Sequence, residues 1–218
     1  MKSTLKKIFP KLYTKYLYKK KGINRLTIEK KISQLDQCGI SDAEELGIII
    51  SLTSYGERLS DVHLTLYSLR VQTYKPYKII LCLAEKEFPN REFDLPSKLK
   101  SILKWGVEII WYKDIRSYKK LIPTKKKYPD HIIVTADDDL YYPQTWLEEL
   151  VLSYKREPVH IQVHNYTRVS LDKNNSLIKY SKWELAPTGD LSLLNFMKSG
   201  SGALFPPESL YKDYSNEE

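Results

Sequence analysis

The stretch IIVTADDDLYYP, residues 132–143, runs from β-prone residues straight into three consecutive carboxylates, Asp137, Asp138 and Asp139. Adjacent carboxylates repel. At an effective dielectric of about 20, two charges about 5 Å apart cost roughly 3 kcal/mol. A turn needs one Asp, not three. The usual offset is a bound cation, and hard divalent ions such as Mg²⁺ or Mn²⁺ take oxygen ligands. The triplet is therefore a candidate metal site. The competing interpretation is a set of acids capping a turn before a helix opened by Pro143. His160 and His164 fall on one face of the alternating segment VHIQVHNY, residues 159–166. No third ligand accompanies them, so they read as solvated or hydrogen-bonded side chains.

The elements that must position such a site alternate. IIISLT (48–53), YKIILCLA (77–84), VEIIWY (107–112) and HIIVTA (131–136) are short apolar runs of the kind buried on both faces of a sheet. Between the first two, Val62, Leu66 and Leu69 fall at helical spacing, with Ser60 as a plausible N-cap. Pro96 opens a helix carrying Leu99, Ile102 and Leu103, and Ser117 starts a short helix limited by Pro123. Pro143 opens a last one with Leu147, Leu150, Val151 and Tyr154 on one face. Beyond residue 170 the pattern weakens, and SGSGALFPPESL reads as loop then turn. Strand–helix alternation predicts an α/β fold with a mostly parallel sheet flanked by helices. In such sheets ligands bind beyond the carboxyl ends of the strands. SLTSYGER, LAEKEF and the aspartates all follow strand ends, so three polar segments converge on one edge.

Composition sets outer limits. With 218 residues and 42% hydrophobic content the chain can bury a sizeable core. The 17 tyrosines are explained by packing before any stacking role. Cys38 and Cys82 have neither metal-site nor disulfide spacing, and Cys82 sits in an apolar run. The formal net charge is +8, and the first 47 residues hold 11 basic against 5 acidic side chains. No stretch approaches the ~20 apolar residues of a membrane span, and the basic start lacks a signal peptide's apolar region. The expected setting is cytoplasmic, with residues 1–46 as a basic helical extension, helical over 24–46, before an α/β domain at 47–218. Residues 1–21 interleave lysines with Leu5, Ile8, Phe9, Leu12, Tyr16 and Leu17. This is the pattern of a peripheral anchor on an anionic membrane face. No nucleic-acid-binding motif accompanies the basic block.

Taken together, SLTSYGERL, SLRVQTYKPYKIILCLAEKEFP, SYKKLIPTKKKYPDHIIVTADDDLYYPQTWLEEL and GSGALFPPESL resemble a family-2-like bacterial glycosyltransferase with the GT-A (Rossmann-like) fold, over residues 47–210. The resemblance implies metal-dependent, inverting transfer of a sugar in surface-polysaccharide synthesis. The donor would be a nucleotide-sugar, a UDP-sugar foremost, and the acceptor a saccharide or lipid-linked saccharide hydroxyl. It implies Asp139 as main metal ligand, Asp137 toward ribose and metal, and Asp138 orienting or sharing the ion in a catalytic role. Thr53, Ser54 and Tyr55 match the family's nucleotide-facing loop. Arg58 could pair with phosphate, Glu85 could meet the base, and Lys119 and Lys120 could meet the diphosphate; Lys125, Lys126 and Lys127 read as surface. Gly200, Ser201 and Gly202 match the family's loop near sugar and acceptor. Trp183 could stack on a sugar or pack in the core. The family pattern continues past GALFPP, so a C-terminally truncated catalyst is expected. Asp190 is then the remaining candidate general base, or alternatively an N-cap for the helix-like LSLLNFMK.

Two rival functions remain open. A nucleotidyltransferase acting on a sugar phosphate can use a related core with acidic metal ligands. It typically shows a Gly-rich loop after the first strand, and TSYGER has one glycine. The other rival is a non-catalytic module that binds a membrane surface or a partner.

Overall fold

A computed structural model describes residues 25–34, 46–185 and 191–216. Four strands run parallel: β1 (Ile48–Thr53), β2 (Lys78–Ala84), β3 (Val107–Tyr112) and β4 (Ile132–Thr135). Two further strands, β5 (Gln162–Val163) and β9 (Ala203–Phe205), complete the main sheet in the order β3-β2-β1-β4-β9-β5, with β9 antiparallel to both neighbours. The sequence places these parallel strands within a residue or two of their observed ends. Alternate residues bury on opposite faces, as period-2 strands covered on both sides must. Ile48, Ile50 and Leu52 join Ile79, Leu81 and Val134 in one core. Ile49, Ile80, Cys82 and Ile133 form the other, against Leu121 and Tyr128.

The larger core is closed by three helices, α2 (Val62–Arg70), α3 (Ser97–Leu103) and α5 (Trp146–Arg156). Every residue of α2 is buried. Its amphipathic spacing is therefore a minimum, because α1 (Arg25–Ser33) covers its outer side through Ile28, Leu64 and Tyr67. The opposite face carries a 3-10 turn, Arg116–Lys120, and the short α4 (Ile122–Lys127). The small second sheet has the order β7-β6-β8, from β6 (Tyr166–Arg168), β7 (Glu184–Leu185) and β8 (Asn195–Met197).

Several local expectations are corrected. Ser60 does not cap α2: its hydroxyl donates to the Glu57 carbonyl, inside a 3-10 turn over Gly56–Ser60. Pro123 opens α4 rather than limiting a helix, because its missing N–H lies in the first turn, where no partner is needed. Residues 159–166 are not one strand. The chain leaves the main sheet after Val163 and enters the small sheet at Tyr166, so His160 and His164 share no strand face. The helix-like LSLLNFMK holds β8, where pairing with β6 overrides helical spacing. Lys125 is not a surface lysine: it is 3% exposed, and its ammonium donates to the Pro129 carbonyl at 2.6 Å. The expectation of helix over 24–46 meets α1, while residues 1–24 and 35–45, with the proposed membrane anchor, lie outside the described residues.

Candidate functional site

The strand order 3-2-1-4 reverses direction between β1 and β4. An open parallel sheet forms its ligand crevice at such a reversal. The two strands are in register from Ile48↔Ile132 to Ser51↔Thr135, and the Ala136 N–H donates to the Ser51 carbonyl at 3.0 Å. The aspartates therefore emerge beside Thr53, Ser54 and Tyr55, as two strand ends in register require.

The three carboxylates have different fates. Asp138 turns inward, with its side chain 4% exposed. The Ser54 hydroxyl donates to its Oδ2 at 2.6 Å, and Arg58 Nη1 donates to its Oδ1 at 2.9 Å. Burial pushes its pKa up, against the opposing pull of Ser54 and Arg58. The Thr65 hydroxyl lies 2.9 Å and 2.8 Å from the carbonyl oxygens of Asp138 and Leu140, fixing the turn from the α2 side. Asp137 and Asp139 stay accessible, each with 39% of its side chain exposed. Lys120 Nζ donates to Asp137 Oδ1 at 2.7 Å, and Arg58 Nη2 lies 3.5 Å from Asp139 Oδ2. Lys119 is buried and donates to Asp114 Oδ1. That bond holds the Asp114 carboxyl below its ordinary range.

A cavity of about 540 Å³ opens at this edge. Thr53, Tyr55, Arg58, Lys119, Lys120, Asp137 and Asp138 line it, so seven of the sequence candidates meet in one place. Ser54 lies beneath, 1% exposed, its hydroxyl bound to Asp138. Thr53 donates to the Cys82 carbonyl at 2.8 Å, which ties β1 to β2 at the cavity wall. Glu85 is not in the lining. It faces Arg91, 3.6 Å away, and Glu87 of the same 3-10 turn takes the wall position. Asp190 lies outside the described residues.

The glycine loop closes the other side of Asp137. The Asp137 N–H donates to Tyr142 Oη at 2.8 Å, and that hydroxyl donates to the Gly200 carbonyl at 2.7 Å. Trp146 Nε1 donates to the Ser201 carbonyl at 2.7 Å. A Cβ on Gly200 would lie 1.9 Å from Asp137 Oδ2, so only glycine admits this carboxylate here. Gly202, at φ +118°, sits against the Trp146 indole. Gly200, Ser201 and Asp137 then line a second cavity of about 370 Å³, together with Tyr180, Phe196 and Lys198. Trp183 does not line it. It packs behind Tyr180 and Phe196, with ring centroids at 5.1 and 5.5 Å.

Asp114, Arg116 and Ser117 also line the first cavity, and sequence reasoning passed over them. The signal was available. They follow the carboxyl end of β3, and the rule that picks out the segments after β1, β2 and β4 applies to that strand too. Tyr142 carried no such signal, because its role depends on two loops that meet only in the fold.

The divalent ion implied by the triplet can be tested on these residues. Among the described residues no three His, Cys, Asp or Glu side chains converge on a point that could hold a metal. An all-protein cage is therefore not what the triplet builds. Asp137 lines both cavities, whereas Asp139, expected to be the main ligand, lines neither and stands exposed beside Arg58. An exposed carboxylate such as Asp137 suits the other arrangement, in which Mg²⁺ takes one or two carboxylates and completes its shell with water and phosphate oxygens.

No family model matches the chain, and no curated protein matches it. Solved structures do. A CMP:2-keto-3-deoxy-manno-octonic acid synthetase complexed with CTP is similar at 11% identity and a TM-score of 0.46, over 77% of this chain and 76% of that one. A 4-diphosphocytidyl-2C-methyl-D-erythritol synthase is similar at 9% identity and a TM-score of 0.38, over 70% and 74%. At these values the likeness concerns the arrangement of elements. These findings correct the expectation of a glycosyltransferase moving a sugar from a UDP-sugar to a saccharide hydroxyl. Nothing found bears the family-2 resemblance out.

Proposed function

We propose that the protein is a nucleotidyltransferase that joins a nucleoside monophosphate unit, from a nucleoside triphosphate, to a sugar phosphate. The observation that carries this reading is the cavity at the β1/β4 reversal, where Arg58, Arg116, Lys119 and Lys120 stand among the carboxylates. A triphosphate needs several cations, and side chains supply here what a glycine-rich loop supplies elsewhere. The exposed Tyr55 ring, with the Arg58 guanidinium 5.3 Å from its centre, offers a flat wall for a base.

In the reaction, an oxygen of the sugar phosphate attacks the α-phosphorus of the triphosphate. The bond from that phosphorus to the bridging oxygen breaks, and pyrophosphate leaves with the electron pair. Lys120 and Arg58 hold the phosphates and offset the charge that builds on the leaving group. A phosphate monoester is already largely a dianion at pH 7, its second pKa being about 6. The attack thus needs no general base, and the role once given to Asp190 is not required. A divalent ion held by Asp137 would supply further charge neutralisation at the phosphate oxygens. Asp138 and Ser54 keep Arg58 in place. Tyr142 and the Gly200 backbone keep Asp137 at the cavity edge.

No helix among the described residues is long and apolar enough to cross a membrane. The test is direct. With Mg²⁺ present, at least one common nucleoside triphosphate should bind the full chain, and with a panel of sugar phosphates pyrophosphate should be released. Lys120→Ala should weaken triphosphate binding about tenfold or more, the worth of one charge-assisted contact. A folded protein that binds none of the five common triphosphates would end this reading.

A further inference from the structure

Resting on the nucleotidyl-transfer reading, we propose that the second cavity is the acceptor subsite. Its sugar phosphate would lay the ring against Phe196 and Tyr180 and turn the phosphate toward Lys198. The cavity shares one wall, Asp137, with the nucleotide cavity, so a ligand there lies next to the triphosphate site. Its other walls are of two kinds. Ser199, Gly200 and Ser201 give a polar side of small residues, while Tyr180 and Phe196 give an aromatic one.

The aromatic side is built rather than incidental. Tyr180, Trp183 and Phe196 meet edge-to-face, with centroid distances of 5.1, 5.5 and 5.9 Å. The Trp183 Nε1–H donates to the Ile178 carbonyl at 3.0 Å, which fixes the ring behind the other two. Phe196 sits on β8 opposite Thr167 of β6, so sheet pairing sets its position. Yet Phe196 is 46% exposed and Tyr180 54%. Braced rings with free faces lose little entropy on meeting the C–H face of a sugar.

Lys198 follows β8 directly. Its N–H donates to the Asn165 carbonyl at 2.9 Å, and its own carbonyl accepts from the Ser201 N–H at 2.9 Å. Its backbone is held on both sides, while its ammonium forms no ion pair with a described residue. A cavity lined by a lysine on a held backbone, by two exposed rings and by a carboxylate suits a ligand that is an anion at one end and a ring at the other. A sugar phosphate is such a ligand. A bare sugar would leave Lys198 unused, and inorganic phosphate would leave the rings unused.

The experiment uses the full chain with Mg²⁺, a bound nucleoside triphosphate analogue that cannot react, and a panel of hexose 1-phosphates and pentose 1-phosphates beside their unphosphorylated forms. At least one sugar phosphate should bind, about tenfold tighter than its unphosphorylated form. Lys198→Met should erase that difference, and Phe196→Ala should weaken both forms about fivefold. Neither variant should alter triphosphate affinity. Sugar-phosphate binding that ignores both substitutions, or no binding by any member of the panel, would overturn the assignment and leave the nucleotide reading standing. An equal loss of triphosphate affinity would overturn it too, by placing both residues in the nucleotide cavity. If the triphosphate itself fails to bind but sugar phosphates still require Phe196 and Lys198, the parent reading falls and the cavity assignment survives.

Discussion

Around β1 and β4, the polar side chains that hold the carboxylate turn from within are buried and paired. Around β6 and β8, large apolar side chains stand in the open. Asp138, Ser54 and Thr65 exemplify the first region, each at most 5% exposed and hydrogen-bonded. Leu177, Tyr180, Leu193, Leu194 and Phe196 exemplify the second, each at least 44% exposed. The two regions meet at Asp137. The contrast separates two ways of fixing a site. Burial holds the carboxylate turn by closing every bond around it. The small sheet instead holds its rings by mutual packing and leaves their outer faces free. Substitutions should therefore cost stability on the first side and binding on the second.

The largest expected effect tests the closed side. Asp138→Ala leaves the Ser54 hydroxyl buried without a partner and strips Arg58 of its closest carboxylate. Removing one member of such a buried pair costs about 2–4 kcal/mol here, reduced because Arg58 is 38% exposed and can turn to water. Asp137→Ala, at a half-exposed carboxylate, should cost under about 1 kcal/mol while lowering triphosphate affinity. Urea unfolding of both variants checks the pair. Equal losses would mean that the two aspartates do not divide the work.

The closed side of this division was legible in the sequence, and the reason is physical. Strands buried on both faces must be apolar throughout, so IIISLT and HIIVTA declare themselves, and the ligand edge follows from parallel order. What the sequence hides is which carboxylate faces inward. That depends on Ser54 and Thr65, 84 and 73 residues from Asp138 along the chain. The same holds for Lys125, placed on the surface by its lysine-rich neighbours but buried by the carbonyls of Pro129 and His131. The small sheet was least legible of all. Strands of two or three residues carry too little pattern, and β6 and β8 pair across an interval of about 30 residues.

Glycines refine the contrast. Gly56 and Gly202 both have positive φ, at +52° and +118°. A Cβ on Gly56 meets nothing within 4 Å, whereas one on Gly202 lies 2.5 Å from Trp146 Nε1. Gly56→Ala should cost about 1 kcal/mol, from backbone strain alone. Gly202→Ala should cost about 2–3 kcal/mol, because strain adds to a clash with a ring that is itself hydrogen-bonded to Ser201. Thermal unfolding distinguishes them. Similar values would show that the loop can move away from Trp146, and so that the clamp on Asp137 is soft.

Neighbouring lysines give a smaller contrast inside the closed region. Lys125→Met removes the donor to two backbone carbonyls and should cost about 1–2 kcal/mol. Lys126→Met, at an exposed position, should stay within about 0.5 kcal/mol. Urea midpoints that fail to separate the two would return Lys125 to the surface.

The smallest effect concerns the outer layer of the closed region, where α1 meets α2 and α3 through charged groups. Arg25 donates to Asp61 at 2.8 Å, and Lys98 donates to Glu29 at 2.6 Å. His63 lies among them, 1% exposed, with neither ring nitrogen hydrogen-bonded among the described residues. Glu29 Oε1 is 3.7 Å from its Nε2, beyond hydrogen-bond reach, and is already taken by Lys98 and Arg25. Burial therefore lowers the His63 pKa, helped by Lys98 and Arg25 and opposed by Asp61 and Glu29. A base with a lowered folded pKa binds its proton more readily when unfolded. Stability should thus fall as pH drops below about 6.5, the ring's ordinary value. Glu29 acts lower down. Its hydrogen bond from Lys98 outweighs burial and, with Arg25, holds its pKa below 4.5, so its contribution persists above that value and fades below it. The two losses set in at different pH, near 6.5 for His63 and near 4.5 for Glu29, which lets one variant isolate one group. In His63→Gln the slope of unfolding free energy between pH 7 and pH 5.5 should flatten, while the fall below pH 4.5 should remain. If the slope between pH 7 and 5.5 is unchanged, His63 takes up its proton without leaving the helix interface, and the outer layer is more open to water than the buried ring suggests.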